Sequence, residues 1–375
     1  MVKKIVLYLC VTALLCSCLI DVKKAHTVMQ QADSLYVPKY ANMFKIKYFK
    51  DHKVIEVSHP WDSTAAPYTT VLSGNPDFIL NNPKTISLPV KKWVAVTSTQ
   101  ISYAHKLKVL EQLVGMAEPE YVSNKFVQNG LKKGTIRNIG TAFAPDLELL
   151  MSLNPDMMMV SPFKDDFYGP VRDAGINVST NSSYLENTPL GRVEWLVYVA
   201  AFFNKEAEAI KVVEEIAAKY NAVKELASQS KSYPTVVTGK TYQGIWYVPA
   251  AQSYNANFLK DANVDYIFKD RPGTGSLSYD FETVYEAGGN CDFWSILVNH
   301  NGEYSYSELE KLDPRYADFK AFKNKNVIFS NTNNSLFYEK GLLEPDVVLA
   351  DMVKLFHPEL LKDYSQVYYH RLIKE

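Results

Sequence analysis

The stretch Lys92-Trp93-Val94-Ala95-Val96-Thr97-Ser98-Thr99-Gln100 begins the strand–helix alternation that decides the fold. Its apolar residues predict a short buried strand, and the polar residues from Thr97 onward predict a loop beyond the carboxyl end of that strand. Helical spacing follows at 103–113, a further helix is predicted at 146–153, and a second buried strand at 157–160. Strands that alternate with helices indicate parallel βαβ units, whose ligands gather beyond the carboxyl ends of the strands.

One long helical stretch separates this half of the chain from a second half. Residues 205–232 are rich in Ala, Glu and Lys and carry one apolar face. A helix of about 25 residues is about 40 Å long, which is enough to connect two lobes. The α/β pattern resumes after this stretch. The sequence therefore predicts two Rossmann-like lobes with parallel sheets, at 91–204 and 233–375, joined by a single bridging helix at 205–232.

Short alternating apolar runs precede the first lobe. They occupy residues 40–90, and Asp51-His52-Lys53 lies between two of them as a hairpin turn would. This pattern predicts a small β appendage of unassigned role. We expect the two lobes to fold without it.

The first residues are typical of an export signal. Lys3 and Lys4 precede a short apolar run, and Leu15-Cys16-Ser17-Cys18 matches a lipobox. We predict a signal peptide at 1–17, a lipid on Cys18 and a tether over 18–39, which would hold the protein at a membrane of the periplasm or cell envelope. The alternative is an ordinary signal peptide cut nearby, which would leave Cys18 as a free thiol.

The remaining cysteine and the charge balance exclude several classes of protein. If Cys10 and Cys16 leave with the signal and Cys18 carries the lipid, Cys291 has no partner for an internal disulfide. Cys291 is therefore predicted to be a small buried apolar residue. The 40 basic and 41 acidic residues give a formal charge of −1, which offers no electrostatic argument for a nucleic-acid partner.

Motifs for catalysis and for bound cofactors are absent from the sequence. There is no P-loop, no complete dinucleotide fingerprint, no H-E-x-x-H and no G-x-S-x-G, and no two His residues have metal-ligand spacing. We therefore predict no catalytic residues, no resident cofactor and no dedicated site for a bare metal ion.

Three stretches together resemble a known family. They resemble periplasmic binding proteins of ABC importers for iron–siderophore complexes, haem and cobalamin, over roughly residues 90–375. The stretches are 145–156, 187–195 and 278–285, and 315–327 fits the segment before the last strand of that family. Asn154 replaces the usual Lys, and three Met residues at 157–159 replace the usual aliphatic strand.

The resemblance implies a monomeric, lipid-anchored solute-binding protein. Such a protein would capture a chelated metal (a ferric siderophore, haem or cobalamin) between its lobes and deliver it to an ABC permease and its ATPase. The sequence does not decide between these ligands. The alternative function is that of an exported enzyme acting on a small aromatic or metal-bearing substrate, for which the sequence offers no convergent nucleophile and base.

Candidate ligand contacts are polar and aromatic residues near predicted strand ends and before the bridging helix. The set comprises Gln100, Tyr103, Tyr184, Arg192, Tyr242, Trp246, Tyr247 and Tyr254. Rings with polar tips suit a flat or chelated ligand, and Arg192 suits a carboxylate or catecholate charge. The alternative is that half of these rings belong to the core and that Arg192 only caps its helix against Glu186 or Glu194.

The resemblance also implies two docking residues. One acidic residue on each lobe of such proteins pairs with Arg residues of the permease, and the matching positions here are Glu148 and Glu282. Both lie near the start of a predicted helix. The alternative is that each glutamate only complements its helix dipole, an effect of about 0.3–1 kcal/mol.

Overall fold

The computed structural model describes residues 31–333 and 335–373. The predicted signal peptide and Cys18 lie outside these residues. Within them the strands form three sheets of five strands and one sheet of three. No helix in the described ranges is long and apolar enough to cross a membrane.

An N-terminal sheet, β1–β5, comes first in the chain. Its strands pair in sequence order, antiparallel except for the last pair, which is parallel. The strands are β1 (Ser34–Tyr36), β2 (Phe44–Tyr48), β3 (Lys53–Val57), β4 (Tyr68–Ser73) and β5 (Ile86–Ser87). We expected a tether as far as residue 39 and a sheet only from residue 40. Instead β1 pairs with β2, so the folded part of the chain begins before the predicted boundary.

The first lobe contains a fully parallel sheet in the order β10-β9-β6-β7-β8. Its strands are β6 (Trp93–Ala95), β7 (Leu113–Met116), β8 (Arg137–Asn138), β9 (Met157–Val160) and β10 (Val178–Thr180).

The second lobe contains a sheet in the order β14-β11-β16-β17-β18, parallel except for β18, and a small antiparallel sheet in the order β12-β13-β15. Its strands are β11 (Thr235–Thr238), β12 (Thr241–Tyr242), β13 (Ile245–Pro249), β14 (Asp265–Tyr266), β15 (Ser276–Tyr279), β16 (Phe293–Val298), β17 (Val327–Asn331) and β18 (His370–Arg371). The two parallel sheets confirm the predicted fold class.

Helices connect and cover these strands. The α-helices are α1 (Pro76–Asn81), α2 (Ser98–Lys106), α3 (Lys125–Lys133), α4 (Leu147–Leu153), α5 (Gly169–Asp173), α6 (Pro189–Ala201), α7 (Glu206–Ser228), α8 (Tyr254–Asp261), α9 (Phe281–Gly288), α10 (Tyr306–Leu312), α11 (Lys320–Lys323), α12 (Phe337–Lys340) and α13 (Pro345–Phe356). Short 3₁₀ turns occur at Leu110–Gln112, Pro119–Tyr121, Ser183–Leu185, Pro314–Asp318 and Gly341–Leu343.

Helix α7 occupies the position expected for the bridging helix. It has 23 residues and contacts α6 on the first-lobe side and α13 on the second-lobe side. Its apolar face buries Val213, Ile216 and Tyr220. Lys53 of the N-terminal sheet forms an ion pair with Glu206 at the start of this helix.

Helix α2 begins earlier than the sequence predicts. The spacing predicted a helix from residue 103, but the structure starts it at Ser98. The reason is a capping box, in which the Thr97 side chain accepts the N–H of Gln100 and the Gln100 side chain accepts the N–H of Thr97. The predicted polar loop is therefore the first turn of a helix.

The N-terminal sheet packs directly against α6. The ring centroid of Phe44 lies 4.9 Å from that of Trp195 and 5.8 Å from that of Tyr198. Ile46 and Ile55 are also fully buried and belong to the same apolar core as the bridging helix. We expected the lobes to fold without residues 40–90, but removal of the sheet would expose this face of α6.

Cys291 is buried, as the sequence predicts. Burial raises the pKa of its thiol to about 11. A thiol with this pKa is almost fully protonated near neutral pH, so the cysteine acts as an apolar residue of the core.

The packing of Phe44 on α6 leads to a stability prediction. Phe44→Ala should lower the free energy of unfolding by about 3–5 kcal/mol, because it opens a cavity between the N-terminal sheet and α6. Leu80→Ala on α1 is the control and should change stability by less than about 0.5 kcal/mol, because Leu80 is exposed. Urea unfolding followed by circular dichroism measures both. A loss below about 1 kcal/mol for Phe44→Ala would mean that the sheet is a separable appendage.

Candidate functional site

A cavity of about 440 Å³ lies between the two lobes. Residues that precede or begin α6 line it from the first lobe, and residues around α8, β15 and α12 line it from the second. The lining comprises Thr99, Tyr184, Leu185, Asn187, Arg192, Pro249, Ser253, Tyr254, Asn255, Thr274, Gly275, Ser276, Leu297, Phe337, Tyr338 and Leu342. This is the position expected for a ligand held between the carboxyl ends of two parallel sheets.

A second cavity of about 290 Å³ continues into the second lobe. It shares four wall residues with the first cavity: Pro249, Asn255, Ser276 and Leu297. Its other lining residues are Thr238, Gly239, Lys240, Tyr242, Tyr247, Leu259, Ser295, Ile296, Met352 and Tyr369. The predicted residues Tyr184, Arg192 and Tyr254 thus line the first cavity, and Tyr242 and Tyr247 line the second.

Arg192 is fixed by neutral groups from both lobes. Its Nε donates to the carbonyl of Glu186 at 3.1 Å, and its Nη2 donates to the carbonyl of Tyr184 at 2.8 Å. The guanidinium carbon lies 3.7 Å from the ring centroid of Tyr254, in the second lobe. Within the described residues Arg192 forms no ion pair, so its charge is oriented but not neutralised.

Arg192 therefore does not cap its helix through the carboxylate of Glu186 or Glu194. The Glu194 carboxylate accepts the N–H groups of Lys39, Tyr40 and Ala41. The Glu186 carboxylate accepts from the N–H groups of residues 42 and 43 and from the indole of Trp195. Of these two glutamates, only Glu186 contacts the guanidinium, and it does so through its backbone carbonyl.

Lys240 supplies a second cation that the sequence analysis missed. It follows β11, lines the second cavity, and has no hydrogen bond or ion pair to any residue that the structure describes. Burial lowers the pKa of its amine because desolvation disfavours the charged form. An anion beside the amine would have the opposite effect and favour the charged form. Its place just beyond the carboxyl end of a parallel strand is the signal that would have identified it.

Burial raises the pKa of four tyrosines of the cavities: Tyr184, Tyr254, Tyr338 and Tyr369. At Tyr254, Arg192 opposes this rise of the pKa. The hydroxyl of Tyr184 donates to the carbonyl of Pro162 at 2.7 Å. With a raised pKa, these rings present neutral hydroxyls in the metal-free protein and can stack and form hydrogen bonds.

Gln100 and Tyr103 lie below the cavity surface and support it. The Gln100 side chain accepts from the N–H of Val96 at 2.7 Å within the capping box of α2. The buried Tyr103 hydroxyl donates to the carbonyl of Arg192 at 2.5 Å. We expected both side chains to contact a ligand, but they form hydrogen bonds with backbone groups instead.

Trp246 belongs to the core of the second lobe. We expected it to face a ligand, but its side chain is 0% exposed, and its indole N–H donates to the carbonyl of Thr238 at 2.8 Å. Side chains alternate along β13, so Trp246 faces inward and Tyr247 faces outward. Only one of two adjacent strand residues can reach the same cavity.

Four common metal-ligating residue types are missing from the cavity walls. Among the described residues, the two linings contain no His, Cys, Asp or Glu. Elsewhere in the described ranges there is no group of three or more such residues that could hold a metal ion. The linings offer two cations, neutral hydroxyls and aromatic rings, which suit an anionic organic ligand.

Glu148 and Glu282 are both exposed in the first turns of α4 and α9. The Glu282 carboxylate accepts from Nη1 of Arg315 at 2.9 Å. Glu148 has no ion pair with any described residue. Each helix begins with a capping aspartate, Asp146 in α4 and Asp280 in α9.

The chain matches the family described as Periplasmic binding protein over residues 94–332. It is 30% identical to an uncharacterized lipoprotein of Methanocaldococcus jannaschii, covering 75% of this chain and 69% of that protein. A second uncharacterized lipoprotein of the same organism is 26% identical, with 90% and 87% covered.

Solved structures share the fold. A periplasmic heme binding protein from Pseudomonas aeruginosa superposes with a TM-score of 0.60 at 15% identity, covering 76% of this chain and 99% of that chain. A TroA-like periplasmic binding protein from Veillonella parvula gives 0.58 at 18% identity, with 77% and 97% covered. At these identities the likeness concerns the fold alone.

The alternation along β13 leads to a paired prediction. Trp246→Ala should lower the free energy of unfolding by about 3–5 kcal/mol, because the indole fills the core. Tyr247→Ala, at the next position, should cost less than about 1 kcal/mol, because its ring faces the second cavity and is partly exposed. Thermal and urea unfolding measure both. Equal losses for the two variants would contradict the assignment of the two faces.

Proposed function

Because this chain belongs to the periplasmic binding protein family, we propose that it captures a negatively charged metal chelate between its lobes and delivers it to an ABC importer. The chelate is a ferric siderophore or haem, bound with the metal already coordinated. The family and the superposed structures are binding proteins, which supports a binding role over that of an exported enzyme.

The charge of the two cavities carries this proposal. Arg192 and Lys240 are the charged residues of the linings, and neither lining contains a carboxylate. Two unneutralised cations in a partly desolvated cleft favour an anionic ligand. Catecholate and carboxylate siderophores and the propionates of haem carry such charge. Cobalamin presents mainly neutral amides, so these cations favour it less.

The rings of the cavities fit the same class of ligand. Tyr184, Tyr254 and Tyr338 line the first cavity, and Tyr242, Tyr247 and Tyr369 line the second. These six rings offer stacking faces to a flat or aromatic chelate, and the hydroxyls other than that of Tyr184, which already donates to Pro162, offer hydrogen-bond donors. Since the described residues of the linings include no His, Cys, Asp or Glu, recognition is proposed to use mainly the organic part of the chelate.

We propose that a lipid on Cys18 anchors the protein at a membrane of the periplasm or cell envelope. The lipobox supports this anchor, and so do the two relatives that are named lipoproteins. The partners are then an ABC permease with its ATPase, the chelate and the membrane, and the protein acts as a monomer.

Glu148 and Glu282 are proposed to pair with basic residues of the permease. Their exposure in equivalent first turns, one on each lobe, supports a two-point contact. Charge pairs in such a contact set orientation and encounter rate more than affinity.

Removal of either cavity cation should weaken ligand binding. Arg192→Ala is expected to raise the Kd for haemin or for a ferric tris-catecholate about 10- to 100-fold, and Lys240→Ala about tenfold, because each removes a charge-assisted contact. Arg192→Lys should fall between wild type and Arg192→Ala, since it keeps the charge but loses the planar fork. Calorimetric titration measures the affinities.

The control for this prediction is Arg172→Ala. Arg172 is an exposed arginine that pairs with Asp166 outside both cavities. It should leave the Kd unchanged. If neither probe binds the wild-type protein, or if Arg192→Ala and Lys240→Ala both bind like wild type with unchanged melting, the proposed ligand class is wrong.

Charge reversal should separate docking from ligand capture. Glu148→Arg combined with Glu282→Arg is expected to leave the Kd for the chelate unchanged and to abolish its uptake by cells. Glu225→Arg with Glu310→Arg is the control, because both glutamates are exposed on other helices, and uptake should persist. Radiolabelled iron uptake and calorimetry measure the two effects. Wild-type uptake by a correctly anchored double reversal would refute the docking assignment.

A further inference from the structure

Helices α4 and α9 begin with the same six-residue pattern. The first reads Asp146-Leu147-Glu148-Leu149-Leu150-Met151, and the second reads Asp280-Phe281-Glu282-Thr283-Val284-Tyr285. In each, the aspartate caps the helix by accepting the N–H three residues later, at 3.0 Å in α4 and 2.7 Å in α9. The pattern occurs once in each lobe.

The last two residues of the two patterns are also alike in burial. The fifth residue of each, Leu150 or Val284, is fully buried in its own lobe. The sixth is a large side chain left in solvent: Met151 is 59% exposed and Tyr285 is 40% exposed. Each lies three residues after its glutamate, so the acidic and the apolar side chain share one helix face.

Tyr285 is held in place as a rigid ring. Its centroid lies 5.9 Å from that of Phe281 in a stacked arrangement and 5.2 Å from that of Phe319. Arg315 stacks on Phe281, with its guanidinium carbon 3.8 Å from the centroid of that ring. The same guanidinium forms an ion pair with Glu282. The exposed ring and the docking carboxylate are thus oriented by one cluster of residues.

More exposed apolar surface lies close to α4 in the sequence. Phe143, four residues before the helix begins, packs its ring 4.6 Å from Phe163 and 5.2 Å from Phe167. Phe143 and Phe167 are both exposed. Exposed apolar clusters of this kind mark interaction sites in soluble proteins.

We infer that Met151 and Tyr285 are the apolar anchors of the surface that docks on the permease, an inference that rests on the proposed function. Glu148 and Glu282 steer the two lobes onto basic residues, and the side chain one turn later fills an apolar recess beside each basic residue. The partner is therefore a membrane protein with basic groups next to apolar recesses at two related positions.

The charge of these helix starts supports this partner over two others. Each presents two carboxylates near its apolar anchor. Arg315 pairs with Glu282 but also with Asp313, so both helix starts stay acidic and an anionic lipid surface would repel them. A second copy of this chain would place like charges together at the same faces. A basic protein surface satisfies the carboxylates and the apolar side chains at once.

Site-specific photo-crosslinking in the native membrane tests the inference. The full lipoprotein carries p-benzoylphenylalanine at one position at a time: 148, 151, 282 or 285. Leu80 and Leu312 supply control positions, since both are exposed apolar residues on other helices, α1 and α10. Mass spectrometry identifies the crosslinked partner.

We expect adducts with the transmembrane subunit of an ABC importer from 151 and 285, and none from the control positions. Adducts from 148 and 282 without adducts from 151 and 285 would overturn the inference and leave the proposed function standing. If none of the four positions yields a permease adduct, both fail. A predominant adduct with a second copy of this chain, or with lipid, would also overturn the inference.

Binding to the identified permease in nanodiscs provides the second measurement. Met151→Ser with Tyr285→Ser should raise the Kd for the permease about 100-fold, since truncation of a well-packed anchor costs about tenfold or more. Leu80→Ser with Leu312→Ser should leave this Kd unchanged. Both double variants should bind haemin as wild type does. An unchanged permease Kd for the Met151 and Tyr285 variant would refute the anchor role.

Discussion

Two buried carboxylates hold the N-terminal sheet on the body of the protein. Glu194 accepts the N–H groups of Lys39, Tyr40 and Ala41 at 2.6–2.8 Å, and the hydroxyl of Tyr36 at 2.9 Å. Glu186, just before α6, accepts from residues 42 and 43. A buried carboxylate needs such donors, because burial without them costs several kcal/mol. Residues 36–41 are therefore attached to α6, the helix that carries Arg192, and residues 42 and 43 are attached to the residue three positions before that helix.

Glu186 connects this attachment of the N-terminal segment to the wall of the ligand cavity. Glu186 binds the N-terminal segment with its side chain and the guanidinium of Arg192 with its carbonyl. Gly191 allows the segment to pass close by, since a Cβ at this position would lie 3.1 Å from the carbonyl of Tyr40 and 2.7 Å from the hydroxyl of Thr188. The N-terminal sheet is thus part of the support of the cavity cation, although it does not line the cavity.

Local signals in the sequence were sufficient for the two parallel sheets and for the starts of α4 and α9, but not for the start of α2. Strand–helix alternation predicted the parallel sheets, and the glutamates at 148 and 282 were predicted on helix starts, where the structure has them. The start of α2 depended on a local capping box that the prediction missed, whereas the other failures depended on the tertiary packing. Trp246 and Tyr247 differ only in which face of β13 meets the core, and the donors of Glu194 lie more than 150 residues away. Short-range patterns contain no information about either.

The two lobes contribute different groups to the site, so ligand recognition depends on how the lobes are arranged relative to each other. Arg192 lies on a first-lobe helix, whereas the ring that it stacks on, Tyr254, and the second cation, Lys240, belong to the second lobe. The lobes also meet where the Asn257 side chain donates to the carbonyl of Asn187 at 2.8 Å. An anion that contacts both cations bridges the lobes, and it favours the arrangement in which both cations reach it. Helices α4 and α9 belong to different lobes, so the same arrangement sets the spacing of the two surfaces that a permease would contact.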